Sequence, residues 1–265
     1  MTAQIHPTAI VEPGARIDDG ALVGPYCCVG GEVELDAGVV LHSHVAIAGR
    51  TRIGAGTTVH SFASLGQPPQ HRAYRGEPAT LVLGAGNVIR EYVTINGGSG
   101  AHGTRIGDSC FLMTASHVAH DCQVGNLVVM ANQATLGGHV TIEDNAIIGG
   151  LSAIHQFVRI GEQAMIGGMS GIAEDVIPFG MAVGNRSRLM GLNLVGLKRS
   201  GVPRPEIHAM RAAYRHLFAE GGALSERLDE VAGLYRDNDR IMKIVDFMRA
   251  GSKRGLCRPK PAHAG

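Results

Sequence analysis

Tryptophan is missing from this chain of 265 residues, and other aromatic residues are scarce, with six Phe and five Tyr. So few aromatic rings make a stacking surface for nucleic-acid bases unexpected. The net charge is only +1, so bulk electrostatics give no indication of nucleic-acid binding either. No run of residues is apolar for long enough to span a membrane, and we expect no membrane insertion.

The chain also lacks the signals of secretion and of a cysteine-based site. Its first residues, MTAQIHPTAI, contain no basic region followed by an apolar stretch, so we expect no signal peptide. The cysteines show no paired spacing of the kind that metal sites use; they are Cys27, Cys28, Cys110, Cys122 and Cys257. We predict reduced thiols in a cytoplasmic protein.

What the chain does have is an aliphatic residue at every sixth position over two long stretches. The first stretch runs from Ile5 to Leu65 and the second from Ile106 to Ile172. A small side chain stands two positions before each of these residues, as Ala134 does before Leu136. A fixed internal period indicates a repeat architecture, and a period of six fits neither an α-helix nor an alternating strand.

This period predicts a mainly β fold, namely a parallel β-helix whose coils have three short sides. The aliphatic and the small residue of each hexad point inward, and the other positions point outward or lie at corners. Glycine is abundant, with 38 residues, and often follows the aliphatic residue. We interpret these glycines as the residues that let the backbone turn each corner.

Two interruptions and a change of period divide the chain. We predict a β-helix domain over 1–190, with loop insertions at about 66–82 and 97–105. Long loops on a regular scaffold are usually functional. A C-terminal helical domain is predicted over 191–265, because apolar residues after Pro203 and Pro205 return to a helical spacing.

Within that second domain, the sequence predicts one helix after Pro205 that ends at Gly221, then helices at about 223–235 and 239–250. We expect the tail 252–265 to be frayed. The start of this domain has an excess of positive charge. Residues 198–216 contain one acid, Glu206, and five basic residues: Lys198, Arg199, Arg204, Arg211 and Arg215. Such an excess fits either a solvated face or a docking surface for an acidic partner.

Four histidines cluster within 117–155 and occupy neither inward position of their hexads: His117, His120, His139 and His155. We therefore expect them to point outward, with the last three on one edge of successive coils. Asp121 directly follows His120 and is placed to stabilise its protonated form. An imidazole is suited to general-base work near neutral pH.

The same histidines leave open a metal site. Imidazoles on a parallel β-helix bind zinc in one class of carbonic anhydrase. The segment HVAH has the spacing of two ligands on a helix, but here it lies on a strand and a corner, and no third ligand accompanies it. We favour acid–base catalysis and predict no metal.

Several longer motifs point to one family. They are IHPTAIVEPGA, GEP at 76–78, HVAHDC, TLGGHV, AIIGG, IHQF, IGGMSG and NLVGLKR. In these motifs, and over nearly all of its length, the chain resembles the UDP-N-acetylglucosamine O-acyltransferases of lipid A biosynthesis. The resemblance implies a left-handed β-helix and a homotrimer with its sites between subunits. It also implies transfer of a (3R)-3-hydroxyacyl chain from acyl carrier protein to the 3-position of the UDP-sugar.

Residue roles follow from the resemblance, position by position. His120 matches the general base, Asp121 its supporting carboxylate, and Gly138 the residue whose amide stabilises the oxyanion. Gly168 matches the residue that measures acyl length. Sugar, nucleotide and other substrate contacts are implied for six residues: Gln70, His117, His139, His155, Asn193 and Arg199, of which Arg199 contacts the diphosphate.

No cofactor is expected beyond the phosphopantetheine thioester of the acyl carrier protein, which is substrate. For that acidic partner, Arg204, Arg211 and Arg215 are the expected docking residues. Two positions depart from the family pattern, since His71 and Val195 stand where the family often has an acid. Both positions take part in sugar-nucleotide recognition in the family, so a UDP-sugar with a 3-amino group remains an alternative acceptor. An acetyl-CoA-dependent hexapeptide transferase, a zinc carbonic anhydrase and an inactive structural trimer stay open as well.

Overall fold

The computed structural model describes residues 2–260, and its β-strands form three sheets that wrap around one core. The first sheet has eleven strands, in the order β1 (Gln4–Ile5), β4 (Leu22–Val23), β7 (Val40–Leu41), β10 (Thr58–Val59), β13 (Val88–Ile89), β16 (Phe111–Leu112), β19 (Val129–Met130), β22 (Ile147–Ile148), β25 (Met165–Ile166), β27 (Gly180–Val183) and β28 (Arg188–Leu192). The second sheet has nine strands, in the order β2 (Ile10–Val11), β5 (Cys28–Val29), β8 (Ala46–Ile47), β11 (Ser64–Gln67), β14 (Thr94–Asn96), β17 (His117–Val118), β20 (Thr135–Leu136), β23 (Ala153–Ile154) and β26 (Gly171–Ile172). The third sheet has eight strands, in the order β24 (Arg159–Ile160), β21 (Thr141–Ile142), β18 (Gln123–Val124), β15 (Thr104–Ile106), β12 (Thr80–Leu83), β9 (Arg50–Ile53), β6 (Glu34–Leu35) and β3 (Arg16–Ile17).

From β1 to β26, consecutive strands belong to different sheets, and each pairs in parallel with the strand three places along the chain. Thr135 of β20, for example, pairs with His117 of β17 on one side and with Ala153 of β23 on the other. Only β27 and β28, among the paired strands of residues 2–260, are antiparallel. The predicted parallel β-helix is therefore confirmed.

The inward positions are also as predicted. Both Leu136 and Ala134, the aliphatic and the small residue of one hexad, are fully buried. The first coil is the exception, because no strand of the described residues lies on its outer side; Ile5 is 47% exposed. Burial of aliphatic side chains at about 25 cal/mol per Å² is the main stabilising contribution in such a core.

The predicted reason for the corner glycines is wrong. Apart from Gly66 (φ 73°), the glycines that follow the aliphatic residue do not have a left-handed backbone; instead they lie against the next coil. A Cβ at Gly24 would come within 2.7 Å of the Leu41 carbonyl oxygen. The left-handed turn falls two residues later. Non-glycine residues occupy it in most coils, such as Tyr26 (φ 59°) and His139 (φ 60°), and glycines such as Gly38 (φ 69°) occupy it in others. Directly after the aliphatic residue, glycine is therefore generally needed for close approach between coils rather than for φ.

Both insertions are shorter than the sequence indicated, because strand pairing extends into each of them. The first, between β11 and β12, covers 68–79, and the second, between β14 and β15, covers 97–103. Hydrogen bonds link their bases: Gly97 N–H donates to the Gln67 carbonyl over 2.9 Å, and Thr80 and Gly98 exchange two backbone bonds. The two insertions thus form one structure on the side of the β-helix.

Up to residue 260, the C-terminal part contains four helices, α1 (Leu194–Arg199), α2 (Arg204–Leu217), α3 (Leu224–Leu234) and α4 (Asp239–Ala250). The sequence predicts the last three but not the short α1. The boundary expected at 190/191 falls inside β28. Among residues 2–260, no helix is long and apolar enough to cross a membrane.

The expectation of a frayed tail is wrong for the part that the structure describes. Cys257 is fully buried, and its N–H donates to the Asp175 carbonyl over 2.9 Å. Asp175 N–H in turn donates to the Gly255 carbonyl. The tail therefore packs back on the β-helix; residues 261–265 lie outside the described residues.

Candidate active site

The site is built around a hydrogen bond between two neighbouring residues, His120 and Asp121. They form the corner between β17 and β18, and Asp121 occupies the left-handed position of that corner, with φ 62°. His120 Nδ1 lies 2.7 Å from Asp121 Oδ2. Both side chains are mostly buried, with exposed fractions of 13% and 8%. A carboxylate on Nδ1 fixes the orientation of the ring and directs Nε2 outward.

The Asp121 carboxylate is held on both oxygens. Its Oδ1 atom accepts a hydrogen bond of 2.7 Å from Gly100 N–H of the second insertion. Burial alone would raise the pKa of Asp121, but the bonds from His120 and Gly100 and the nearby His139 together hold it below the ordinary value. Asp121 is therefore an anion at neutral pH, as a partner for a protonated imidazole must be.

His139 lies one coil further along and contacts the same pair. Its Nε2 atom is 3.9 Å from Asp121 Oδ2, and its ring meets the His120 ring edge-on with centroids 5.2 Å apart. Burial lowers the pKa of His139 below its ordinary value, although Asp121 opposes this. The predicted neighbourhood of His120 and His139 is thus present.

The third member of the predicted histidine column is elsewhere. The coil above His139 places Phe157 over it, with the two rings stacked 4.6 Å apart, because the repeat is eighteen residues and not sixteen. His155 is exposed and lies at the end of β23, with Nδ1 3.3 Å from the Gln156 carbonyl. The expected single column through His120, His139 and His155 is therefore wrong for His155.

Gly138 lies directly over the His120 ring. A Cβ built on it would meet His120 Nε2 at 2.8 Å, so a side chain at this position would collide with the imidazole. The Gly138 N–H has no acceptor within residues 2–260, which is common at these corners. What distinguishes Gly138 is its contact with the Nε2 side of the His120 ring, where a reacting carbonyl oxygen would need a donor.

The two insertions enclose a cavity of about 370 Å³ over this group. Its lining includes His71, Tyr74 and Glu77 of the first insertion, Gly100 of the second, and the residues His120, Asp121 and His139. The His71 ring lies 5.4 Å from the His120 ring, centroid to centroid. The sequence identifies His71 only as a departure from the family pattern. Its position next to Gln70, an expected substrate contact, is the one signal in the sequence that places His71 near the site.

The remaining expected substrate contacts of the β-helix domain lie at different depths. Gln70 is exposed in the first insertion. His117 is in β17, where its Nδ1 atom lies 2.7 Å from Thr94 Oγ1, and burial lowers its pKa. His117 is outside the inward rows, as predicted, yet partly covered.

The expected nucleotide contacts are near the helical part, at a distance along the chain from this cavity. Asn193 caps α1, since its Oδ1 atom accepts from Gly196 N–H over 2.9 Å, and its Nδ2 atom donates to the Gln163 carbonyl. This side chain already has a structural role. Arg199 and Val195 are exposed on the same short helix.

Gly168 lies on another edge of the β-helix. It follows β25 of the first sheet and precedes β26 of the second, whereas His120 lies between the second and third sheets. Gly168 is exposed, and a Cβ there would be 3.3 Å from the Gly150 carbonyl oxygen. Its φ is outside the left-handed region. The backbone therefore does not require glycine at this position.

The three arginines expected to dock a partner share one exposed face of α2. Arg204, Arg211 and Arg215 follow a helical spacing of seven and four residues, with His208 between the first two. Within residues 2–260 none of these three arginines forms an ion pair. Glu206, the one acid of α2, is bound to Arg240 over 2.7 Å. This face, the basic stripe of α2, is therefore free for an acidic partner.

One group within residues 2–260 has the composition of a metal site: His120, Asp121 and His139 each offer a ligand atom, all within 4.8 Å of one another. However, the 2.7 Å between Nδ1 and Oδ2 is a hydrogen-bond distance. Two ligands of a tetrahedral zinc ion, each about 2.0–2.1 Å from it, lie about 3.3 Å apart. The donor set thus fits a hydrogen-bonded acid–base pair better than a zinc centre.

Comparison with known proteins agrees with this geometry. The chain is 53% identical to an acyl-(acyl-carrier-protein)–UDP-N-acetylglucosamine O-acyltransferase of Caulobacter vibrioides, over 97% of this chain and 98% of the relative. The corresponding protein of Azorhizobium caulinodans is 55% identical, over 97% and 96%. The chain belongs to the UDP-N-acetylglucosamine O-acyltransferase family.

Solved structures of the UDP-N-acetylglucosamine O-acyltransferase family have the same fold. The protein from Moraxella catarrhalis matches with a TM-score of 0.91 and 41% identity, over 96% of this chain and 99% of that one. The acyltransferase from Francisella novicida matches with a TM-score of 0.93 and 32% identity, over 98% and 95%. A family model described as UDP N-acetylglucosamine O-acyltransferase, domain 2, matches residues 175–257, so the helical part is shared as well.

Proposed function

We propose that this chain transfers a (3R)-3-hydroxyacyl group from acyl carrier protein to the 3-hydroxyl of UDP-N-acetylglucosamine, the first step of lipid A biosynthesis. The observation that carries the proposal is the His120–Asp121 pair, with its 2.7 Å hydrogen bond, beneath Gly138. The names of the relatives supply the substrates, and the pair supplies a base of the kind that an alcohol nucleophile needs.

His120 Nε2 takes the proton of the sugar hydroxyl as its oxygen attacks the thioester carbonyl. The bond between that oxygen and the acyl carbon forms, the tetrahedral intermediate collapses, and the carbon–sulfur bond breaks. The proton then passes from His120 to the departing thiolate, whose reference pKa of about 8.5 makes it a good leaving group. No acyl-enzyme is needed, and the protein requires no resident cofactor. Asp121 stabilises the imidazolium while it exists.

The Gly138 N–H stabilises the oxygen of the tetrahedral intermediate. It is unpaired in residues 2–260, and Gly138 itself lies against the Nε2 side of the His120 ring, so a single bound carbonyl group can be held close to both residues. A single donor of this type typically contributes about 3–4 kcal/mol to stabilisation of the transition state. The sugar and nucleotide are bound by the other residues that the resemblance names; they are Gln70, His117, His139, His155, Asn193 and Arg199.

The active assembly is a homotrimer with sites between subunits. Support comes from an exposed aromatic column on the edge between the first and second sheets, formed by Tyr26, His44, Phe62 and Tyr92. Its rings stack at 5.0–5.1 Å, and Tyr92 is 56% exposed. Exposed apolar side chains that lie next to one another in this way typically mark an interface. Gly168 lies on that same edge. In the trimer, Gly168 of one subunit therefore lies along the path of an acyl chain that extends from His120 of the adjacent subunit.

The acidic carrier protein docks on the basic stripe of α2. Complementary charge increases the rate of encounter and orients the partner. All five cysteines are free thiols and four of them are buried, which supports a reducing compartment such as the cytoplasm.

The direct test is a mass-spectrometric assay that offers UDP-N-acetylglucosamine and its 3-amino analogue with a series of 3-hydroxyacyl carrier proteins. Acylation of the 3-hydroxyl sugar supports the proposal. Preference for the 3-amino sugar would identify the acceptor as the analogue, and turnover of acetyl-CoA instead would indicate another hexapeptide transferase. Stoichiometric zinc with CO₂ hydration would favour the carbonic anhydrase alternative that the cluster of His120, Asp121 and His139 leaves open.

A further inference from the structure

The corner that holds Asp121 differs from the corners above it in how its backbone is paired. His139 and Phe157 occupy the same position on the next two coils, and each N–H donates to a backbone carbonyl of the coil below, those of His120 and Gly138, over 3.0 Å. Asp121 has no such bond. Its N–H donates instead to the side-chain oxygen Thr104 Oγ1 over 2.8 Å.

The second insertion causes this exchange. The chain leaves the β-helix after Asn96 and returns at Thr104, so the carbonyl that would complete the corner beneath Asp121 is displaced. Thr104 is fully buried. Its hydroxyl oxygen is the acceptor for the Asp121 N–H, which has no backbone acceptor. Leaving a buried N–H unpaired is destabilising, so this hydroxyl matters for the position of the corner.

The same insertion holds the carboxylate of Asp121. Gly100 N–H donates to Oδ1, and the oxygen lies so close that a Cβ on Gly100 would meet it at 2.8 Å. The insertion is itself anchored, because Gln123 Nε2 donates to the Gly103 carbonyl over 2.7 Å. Both the backbone and the side chain of Asp121 are thus fixed by 97–104.

We infer that Thr104 and Gly100 are positioning residues for the reaction, which set the orientation of the His120 imidazole through Asp121. The inference rests on the proposed function. Neither residue touches the reacting atoms: Thr104 fixes the Asp121 backbone, Gly100 fixes Oδ1, and Oδ2 is left to hold His120 Nδ1. A displacement of the base by about 1 Å typically costs about 10²-fold in rate.

The test compares three threonine variants with the wild-type protein. Thr104→Val keeps the shape and removes the acceptor, while Thr104→Ser retains the oxygen. Thr51→Val is the matched control, since Thr51 and Thr104 both pair with Leu81 in the same inward row of the third sheet, and the Thr51 hydroxyl bonds only to the Ala48 carbonyl. Acyl transfer from 3-hydroxyacyl carrier protein to UDP-N-acetylglucosamine is measured with the binding of the UDP-sugar.

We expect Thr104→Val to lower kcat by about 10- to 10²-fold with little change in the dissociation constant of the UDP-sugar. Thr104→Ser should restore most of the rate, and Thr51→Val should match the wild type. A second readout is the Nδ1 proton of His120 in ¹⁵N-histidine spectra, which should be visible at low field in wild type and Thr104→Ser, and lost by exchange in Thr104→Val and Asp121→Ala.

Wild-type kcat and an unchanged Nδ1 proton in folded Thr104→Val would overturn the inference. If Thr104→Val does not fold, Gly100→Ala tests the same point, because its Cβ displaces Oδ1; an unchanged kcat there would overturn it equally. Absence of acyl transfer by the wild-type protein would instead contradict the proposed function, and the spectra of Thr104→Val would still test the positioning.

Discussion

His120 Nδ1 lies 2.7 Å from Asp121 Oδ2, and this bond leaves Nε2 of the same ring facing Gly138. The two nitrogens of one imidazole are thereby assigned different tasks. Nδ1 is held by an anion, and Nε2 is free to take a proton. Each task, and each surface around the pair, can be tested separately.

The charge on Asp121 should make stability depend on pH in a defined direction. Its pKa is lower in the folded protein than the ordinary value, so the charged form adds stability above about pH 4, and this contribution is lost as the pH falls through the lowered value. The Tm difference between wild type and Asp121→Asn should therefore shrink on acidification below about pH 4. Thermal unfolding at one fixed protein concentration checks this.

The control for that series is Asp237→Asn, whose carboxylate is 96% exposed. We expect its Tm to follow the wild type at every pH. A Tm difference for Asp121→Asn that stays constant from neutral pH into acid would contradict the assignment of Asp121 as a stabilised anion.

Gly168→Met should give a stable enzyme that prefers shorter acyl donors. The φ of Gly168 does not require glycine. A Cβ there would lie 3.3 Å from the Gly150 carbonyl oxygen, so the neighbouring coil must shift by a few tenths of an ångström, and the side chain would then block the path of a long acyl chain. Relative kcat/KM across a series of 3-hydroxyacyl carrier proteins measures the effect. Gly233→Met, at an open position on α3, controls for added surface apolarity; an unchanged donor profile in folded Gly168→Met would rule out the acyl groove.

Charge reversal on the basic stripe should weaken use of the carrier protein. Arg211→Glu is expected to raise the KM for acyl carrier protein and to reduce the salt dependence of kcat/KM. Arg236→Glu, with a side chain that is 81% exposed and outside α2, should do neither. If Arg211→Glu altered only the KM for the UDP-sugar, the docking surface would lie elsewhere.

Removal of metal should leave activity unchanged. The His120–Asp121 distance fits a hydrogen bond rather than two zinc ligands, so we expect no stoichiometric zinc by elemental analysis and full turnover after dialysis against a chelator. Activity that is abolished by chelation and restored by added zinc would show that His120, Asp121 and His139 form a metal centre.

The sequence predicted the β-helix well because its hexad repeat reports directly on which residues face inward; Leu136 and Ala134 are buried as expected. It predicted the His120–Asp121 pair because the two are neighbours at a corner. It did not predict the pairing of Thr104 with Asp121, because an insertion of unknown conformation separates Thr104 from the regular repeat. The six-residue period gives no information on contacts made by an insertion that leaves the β-helix.

The same limit explains two other differences. The expected column of histidines included His155 because a spacing of sixteen residues is close to one coil, whereas pairing such as Thr135 with Ala153 shows eighteen. The sequence cannot distinguish the close approach of coils at Gly24 from a left-handed turn, because glycine is suited to both. Only the placement of the Leu41 carbonyl distinguishes them.

The role of His120 as the general base is tested most directly by the single-turnover rate of acyl transfer by His120→Ala, measured by mass spectrometry with saturating UDP-N-acetylglucosamine and 3-hydroxyacyl carrier protein. We expect a rate about 10²–10⁴-fold below wild type, the usual contribution of a general base, with the oligomeric state and UDP-sugar binding unchanged. A folded His120→Ala protein that transfers the acyl chain at nearly the wild-type rate would contradict that role.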